Sequence, residues 1–462
     1  MHATNVIKET GPVTDVNDLQ GVLESGMCVS CGACLEADPS LRMVFNEQSM
    51  AFEPSGPGNA EAAAVCPAVR VDYDELHARR FPGRAVTEHG VVTSVYLAQN
   101  TDRERNLRAS SGGLVKELVA MYLDSAEVRG AIALVHRDGL TFEPVLLRRG
   151  DDLDRLPGSI YHNLPSDKVF PLLREADGPV VLVAIPCQLE GILACLYRRA
   201  PELAEKVHAV IGLSCGWYYN HHALKAICRF KRLPFEEIAD VSYRGGGAIG
   251  KLRISAGGRT KAINRRVDFD YQVAFDRSFN IPRCHVCVNH VNYLADIVVA
   301  DAWLPSTVMT KTGISLVICR TVESDAMLKR LRDEGRIRLA EASEEDILES
   351  QRRRNTFGDF AYGYAQYLQG EGLFSPDLPA PNRGAAQPVA HEVAARFHSA
   401  FMRKRRLQRE GRYRTLWWRK ATVEFPRFAA RYFRWFAVRI LRIKSLTGQR
   451  KEISRERLRD FA

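Results

Sequence analysis

Between residues 90 and 320 the chain alternates short apolar runs with stretches whose apolar positions recur every three or four residues. The runs predict strands and the stretches predict helices. Residues 91–98 (VVTSVYLA) predict a strand and residues 112–123 a helix; residues 131–135 predict a further strand. The unbroken run 179–185 (PVVLVAI) ends at Pro186-Cys187 and precedes a helical pattern over 189–199. The run 207–213 repeats this design, ending before Cys215 and a helix over 221–231. Residues 243–255 predict a glycine-turned hairpin, and 295–300 and 314–320 two more strands. Continuous apolar strands joined by helices are the pattern of βαβ units around a buried parallel sheet, so the expected class is α/β. Cys187 and Cys215 then fall just past the carboxyl ends of neighbouring strands, where open α/β sheets place ligands. No solenoid-type repeat is present.

At 462 residues the chain is long enough for two or three domains, and 46% hydrophobic with 26% charged residues is a globular balance. The first ten residues lack a secretory apolar core, and no stretch approaches the roughly 18 apolar residues of a membrane span. A cytoplasmic protein is expected, and in that reducing compartment cysteines at two-residue intervals read as metal ligands rather than disulfides. The net charge of +10 is uneven: residues 401–462 hold 20 Lys or Arg against 5 Asp or Glu, which leaves −5 for the first 400. A Pro- and Ala-rich stretch, 375–388, precedes this basic tail and reads as a linker. Within the tail Phe425, Phe428, Tyr432, Phe436, Ile440 and Ile443 recur at helical spacing, with Arg427, Arg431, Arg434 and Arg442 largely on another face. Together with Arg403–Arg406 and Trp417–Lys420, this suits an interfacial helix on an anionic membrane surface. Packing of the aromatic stripe on the body is an alternative, and a nucleic-acid-binding arm is the least favoured.

Eight of the eleven cysteines carry the chemistry. Cys28-Val-Ser-Cys31-Gly-Ala-Cys34 can wrap one corner of a 4Fe-4S cubane, with Gly32 permitting a tight path, and Cys66-Pro67 resembles the closing ligand of a bacterial ferredoxin. Cys66 lies 32 residues after Cys34, and with no second triplet it closes the same cluster. A structural zinc site is the alternative, although zinc usually takes two separated pairs. Cys187, Cys215 and the pair Cys284/Cys287 are open on spacing alone: a cluster, a zinc half-site, a redox pair and ordinary buried cysteines all fit. Cys195, Cys228 and Cys319 fall on apolar positions and read as core. Ser110-Ser111-Gly112-Gly113, just before a helix, suits either phosphate binding or simple capping. Tyr243-Arg244-Gly245 suits either an anion contact or a hairpin turn.

Taken in order, Ala109–Gly113, Ile185–Gln188, Ile211–Gly216, Tyr243–Gly245, Cys284/Cys287, Ala295–Ile297 with Asp301, and Gly313–Thr321 resemble the coenzyme F420 hydrogenase/dehydrogenase beta subunit family. That family includes 7-hydroxymethyl chlorophyll a reductase and a ferredoxin-dependent divinyl chlorophyllide reductase. The resemblance spans roughly residues 25–325 and implies FAD in the α/β body beside a second 4Fe-4S cluster. It makes Cys187, Cys215, Cys284 and Cys287 that cluster's ligands, Ser110–Gly113 a flavin phosphate contact, and Tyr243–Gly245 part of the same site. It also places Tyr161 and His162 near the flavin as candidate proton donors, with a structural histidine as the plainer reading of His162. This chain has Ala184-Ile-Pro-Cys and Gly212-Leu-Ser-Cys where the family often has Gly-Thr-Pro-Cys and Gly-Leu-Phe-Cys, which spares the thiols but alters their packing.

The expected organisation is a ferredoxin-like iron–sulfur segment (1–85), a mixed α/β flavin- and cluster-binding body (86–372), a linker (373–395) and a basic helical tail (396–462). The expected function is a cytoplasmic iron–sulfur flavoprotein oxidoreductase, with a peripheral place at the inner membrane face as an option opened by the tail. It would relay electrons between ferredoxin or another redox protein, two clusters and FAD to a small-molecule acceptor or coenzyme F420; flow in the opposite direction uses the same parts. A non-catalytic electron-transfer subunit of a larger redox or polysaccharide-modifying complex is the second expectation, and a zinc-stabilised interaction protein the third.

Overall fold

The computed structural model describes residues 19–247, 250–307, 310, 312–379, 388–423 and 429. Ahead of the body, an antiparallel hairpin, β1 (Met43–Asn46) and β2 (Ala51–Pro54), lies among four short helices. The body then supplies β3 (Ser94–Asn100), β4 (Gly130–Asp138), β5 (Thr141–Leu147), β6 (Val180–Ala184) and β7 (Val207–Leu213). A three-stranded excursion follows, β8 (Ile238–Ser242), β9 (Lys251–Ala256) and β10 (Arg259–Asn264), before β11 (Ile297–Asp301), β12 (Ser315–Cys319) and β13 (Ile337–Ala342) complete the main sheet. That sheet has eight strands in the order β13-β3-β12-β11-β7-β6-β4-β5.

Its centre, β4-β6-β7-β11, is parallel, whereas β5 at one side and β12, β3 and β13 at the other are joined by antiparallel pairings, so that β3 runs with the centre and β5, β12 and β13 against it. The architecture is therefore a mixed α/β sheet with a parallel heart. The central strands read correctly because burial on both faces forces continuous Val/Ile/Leu runs. The helix after β6 spans Pro186–Arg199, so it takes Pro186 as its first residue and holds Cys187 in its first turn. Proline tolerates this position because its missing N–H would have no helical partner. Of the hairpin expected over 243–255 only β9 falls within those bounds; it pairs with β8 before them and with β10 after them, and residues 243–250 connect β8 to β9.

The cysteine-rich amino-terminal segment is knitted into the body. Ser30 Oγ donates to Phe52 O and accepts from Asn163 Nδ2 at 2.8 Å, while Phe52 N donates to Asn163 Oδ1 at 2.6 Å. Gln188 Nε2 donates to Val29 O at 3.2 Å and to Leu164 O at 2.9 Å. At the other end, the helix His391–Arg409 begins inside the stretch read as linker. Phe401, Leu407, Tyr413 and Leu416 are buried, and the last three join the core that includes β8 and β9. Lys404 and Lys420 both pair with Asp276, and Trp417 Nε1 donates to Asp270 at 2.7 Å. The charge run and Trp417–Lys420 thus engage the body. The aromatic stripe from Phe425 to Ile443 lies outside the described residues. No described helix is long and apolar enough to cross a membrane.

Candidate functional site

The first four cysteines converge from two places in the chain. Cys28 and Cys31 lie in the loop after the helix Leu19–Ser25, Cys34 in the helix Ala33–Ala37, and Cys66 just after the helix Ala60–Ala64. Two left-handed residues, Ser30 (φ 58°) and Gly32 (φ 79°), curl the loop so that successive thiols turn inward. Gly32 is required twice over: a Cβ there would stand 2.3 Å from Asp167 Cα. Ser30 N donates to Cys28 Sγ at 3.4 Å. Each of the four thiols lies within electrostatic reach of others in the group, and burial pushes Cys28 up to about 12 and Cys31, Cys34 and Cys66 up as well. Three of these four side chains are buried, with Cys28 half-buried.

The second group gathers Cys187, Cys215, in the loop after β7, and Cys284 and Cys287 around the short helical turn Pro282–Val286. All four are half-buried. Desolvation first and neighbouring groups second raise two of these thiols: Cys187 responds to Cys215, Glu190, Cys284 and Cys287, and Cys284 to Cys215 and Cys287. The loop is pinned by Cys215 N donating to His290 O at 3.1 Å. Among the described residues no three His, Cys, Asp or Glu side chains are arranged to hold a single metal ion. Cys195, Cys228 and Cys319 are fully buried in the core.

Beside the second group opens a cavity of about 2090 Å³. Its lining includes Cys215 but none of the first four cysteines. One end is formed by Ser110, Ser111 and Gly113 with Arg105, Arg108 and Arg155; another presents Tyr161, His162, Tyr219, Tyr243 and Arg265. Gly113 caps the helix Leu114–Asp124 in the left-handed region, at φ 77°. Gly112 does not line the cavity: its N–H donates to Ser315 Oγ at 2.9 Å, and a Cβ would stand 2.4 Å from Ala98 O. Its role is to let the loop lie against β3 and β12. Gly245 also lies off the lining, and the neighbouring Gly246 N donates to Leu107 O, tying the two glycine loops together.

Arg244 is buried and grips both carboxylate oxygens of Asp301, at 2.8 and 2.6 Å from Nη1, beneath Trp303, whose ring centroid lies 5.8 Å from the guanidinium carbon. Asp301, Trp303, Arg265 and Tyr271 were not among the expected site residues. Asp301 stood inside a quoted motif, but the chain gives no signal that Arg265 would turn inward.

His162 is fully buried, and burial drives its imidazole well below the ordinary histidine value. Its Nε2 lies 3.3 Å from Leu140 O and its Nδ1 2.6 Å from Tyr243 OH. A neutral ring that gives its single N–H to the carbonyl and accepts from tyrosine satisfies both contacts, which favours the structural reading of His162 over the proton donor. Tyr161 lines the cavity, and its hydroxyl accepts from Arg265 Nη2 at 3.0 Å, while Arg265 Nε donates to Tyr271 OH at 2.9 Å.

Two family models match, one for each half of the beta subunit of coenzyme F420 hydrogenase/dehydrogenase: its N-terminal part over residues 95–170 and its C terminus over residues 178–345. The chain belongs to the coenzyme F420 hydrogenase/dehydrogenase beta subunit family. The matched region holds the Cys187 group and most of the cavity lining, which also takes in Glu349–Gln351 and Lys420; the Cys28 group precedes it. The coenzyme F420 hydrogenase subunit beta of Methanothermobacter thermautotrophicus is 26% identical over 259 residues, covering 53% of this chain and 83% of that protein. The coenzyme F420-dependent sulfite reductase of Methanocaldococcus jannaschii is 22% identical over 324 residues, 66% of this chain but only 46% of that protein. A chain of the F420-reducing NiFe hydrogenase complex from Methanosarcina barkeri aligns at TM-score 0.49 and 19% identity, covering 64% of this chain and 98% of that one. Membership places the chain among redox proteins with an electron-transfer role.

Proposed function

We propose that this family member is an iron–sulfur flavoprotein oxidoreductase that moves electrons between a protein donor, two 4Fe-4S clusters and FAD, with a small organic acceptor or coenzyme F420 at the far end. The observation that carries this reading is the gathering of eight cysteines from separate stretches of chain into two groups of four, one of which borders the cavity. The donor set fits. Buried thiols that raise one another's pKa favour a cationic group that takes them as thiolates. Zinc would draw four sulfurs to within ~3.8 Å of each other at Zn–S bonds of about 2.3 Å, whereas a cubane holds them farther apart.

The cavity fits a dinucleotide as well. It exceeds the ~300–1,000 Å³ of an ordinary ligand pocket, which leaves room for a flavin and an acceptor together. Ser110, Ser111 and Gly113, with the guanidinium groups of Arg105, Arg108 and Arg155 nearby, offer amides, hydroxyls and positive charge to a pyrophosphate. When bound, the clusters exchange single electrons and the flavin pairs them for hydride transfer. The chain's own residues hold and orient: Asp301 fixes Arg244 at the cavity wall, and Arg265 aims the Tyr161 hydroxyl inward to deliver a proton to a reduced acceptor. Because Cys215 borders the cavity and the first group does not, the Cys28 group is assigned to the protein donor, such as ferredoxin.

Anaerobically purified protein is expected to carry one FAD and ~8 iron atoms per chain. Absence of flavin, or a yield of zinc in place of iron, contradicts the proposal. A second reading, an electron-transfer subunit without its own acceptor, is favoured by the hydrogenase-subunit relative. Turnover of a low-molecular-weight acceptor by the isolated chain separates the two.

A further inference from the structure

The two cysteine groups meet across a narrow, charged seam. The helix Pro186–Arg199 carries Cys187 in its first turn, and one turn later Gly191 passes so close to the first group that a Cβ would stand 2.6 Å from Cys31 Sγ and 2.9 Å from Pro67 Cδ. In that seam lies Arg283, the residue before Cys284, with 5% of its surface exposed. Its Nε and Nη2 donate to Pro67 O at 3.4 and 3.3 Å, and its Nη1 to Val286 O at 2.8 Å. One planar guanidinium therefore ties the Cys66-Pro67 turn of the first group to the Cys284–Cys287 turn of the second.

Burial works against a charge here, and Cys287, Glu190, Tyr73 and Cys187 offset that penalty. The same cation acts on Cys66 and on Cys284. Glu190, also buried, is held by the Tyr73 hydroxyl and by Asn289 Nδ2 at 2.7 Å; burial raises its carboxyl, and Arg283 with these two partners works against that rise.

We propose that Arg283 is a positioning residue shared by both cluster sites: it clamps the two cysteine turns together and, as a buried positive charge beside both, raises the reduction potential of each cluster. This inference rests on reading the two groups as cluster sites. Each cluster gains negative charge on reduction, and a nearby cation in a medium of low dielectric favours that state. Lysine keeps the charge but cannot reproduce the planar fork that reaches two carbonyl groups.

The test is an anaerobic redox titration of the purified full chain, followed by electron paramagnetic resonance, for wild type, Arg283→Gln and Arg283→Lys. In Arg283→Gln both midpoint potentials are expected to fall by at least about 59 mV, a tenfold change in each one-electron equilibrium. In Arg283→Lys both stay near wild type. If either cluster keeps its potential in Arg283→Gln, the shared role is overturned. Should that variant not bind iron, Arg283→Lys decides alone: unchanged potentials uphold the charge role, and a tenfold fall in either equilibrium overturns it. Wild-type protein that binds no iron defeats the cluster reading itself, a different outcome from clusters present but indifferent to Arg283.

Discussion

At the scale of single residues, the first cysteine group stood out by its spacing, whereas Cys187, Cys215, Cys284 and Cys287 were open on spacing alone and came forward only through the family resemblance. The charged groups around them were not legible. Arg283 and Glu190 look like surface residues in the chain, and only the fold shows them buried between the thiol groups. His162 was open in the sequence between a proton donor, which the resemblance implies, and a structural ring; its burial and its bond to Leu140 favour the structural reading. The pair makes a clear prediction. Tyr161→Phe should slow acceptor reduction at least tenfold with flavin content unchanged, because the hydroxyl aimed by Arg265 is lost. His162→Phe should instead retain the protonation step but lose about 1–3 kcal/mol of stability, since it strands the Tyr243 hydroxyl and the Leu140 carbonyl. Pre-steady-state rates and denaturant melts on both variants check this.

At the scale of elements, the central strands β6, β7 and β11 were visible as unbroken apolar runs, since both faces of a parallel sheet are covered. The flanking strand β13 was not: its sequence, Ile337-Arg-Leu-Ala-Glu-Ala342, mixes charges into a partly exposed strand and carries no such run. The helix Pro186–Arg199 hides its purpose in Gly191. Propensity alone says that Gly191→Ala should stabilise this helix by ~1 kcal/mol. The structure predicts the opposite, because the new methyl group strikes Cys31 Sγ and Pro67. Gly191→Ala should therefore lose iron from the first group while keeping the second, measured as a fall from ~8 to ~4 irons per chain.

At the scale of the whole molecule, the basic tail changed most between sequence and structure. Its charge suggested an external partner, yet Lys404 and Lys420 converge on Asp276, whose carboxyl they hold well below the usual range although burial alone would raise it. The sequence could not reveal this because Asp276 lies more than a hundred residues away. The same docking makes the fold sensitive to acid. Burial holds His221 and His222 down to about 4, and His222 Nδ1 meets Tyr413 OH at 2.7 Å. Unfolded histidines bind protons near pH 6.5 and these two do not, so stability is full above that value and falls as pH drops towards 4, by up to ~3 kcal/mol for each ring. Thermal melts between pH 7.5 and 5 should show the decline, and replacing both histidines with glutamine should make it shallower, the remainder coming from His162 and His285, which burial also holds below the ordinary value. The order of the relay is the central claim, and anaerobic flavin bleaching in wild type and Cys34→Ala tests it most directly. Reduced ferredoxin and reduced coenzyme F420 should each bleach the wild-type flavin, whereas only reduced coenzyme F420 should bleach it in Cys34→Ala. Bleaching of the Cys34→Ala flavin by ferredoxin at the wild-type rate would contradict the account.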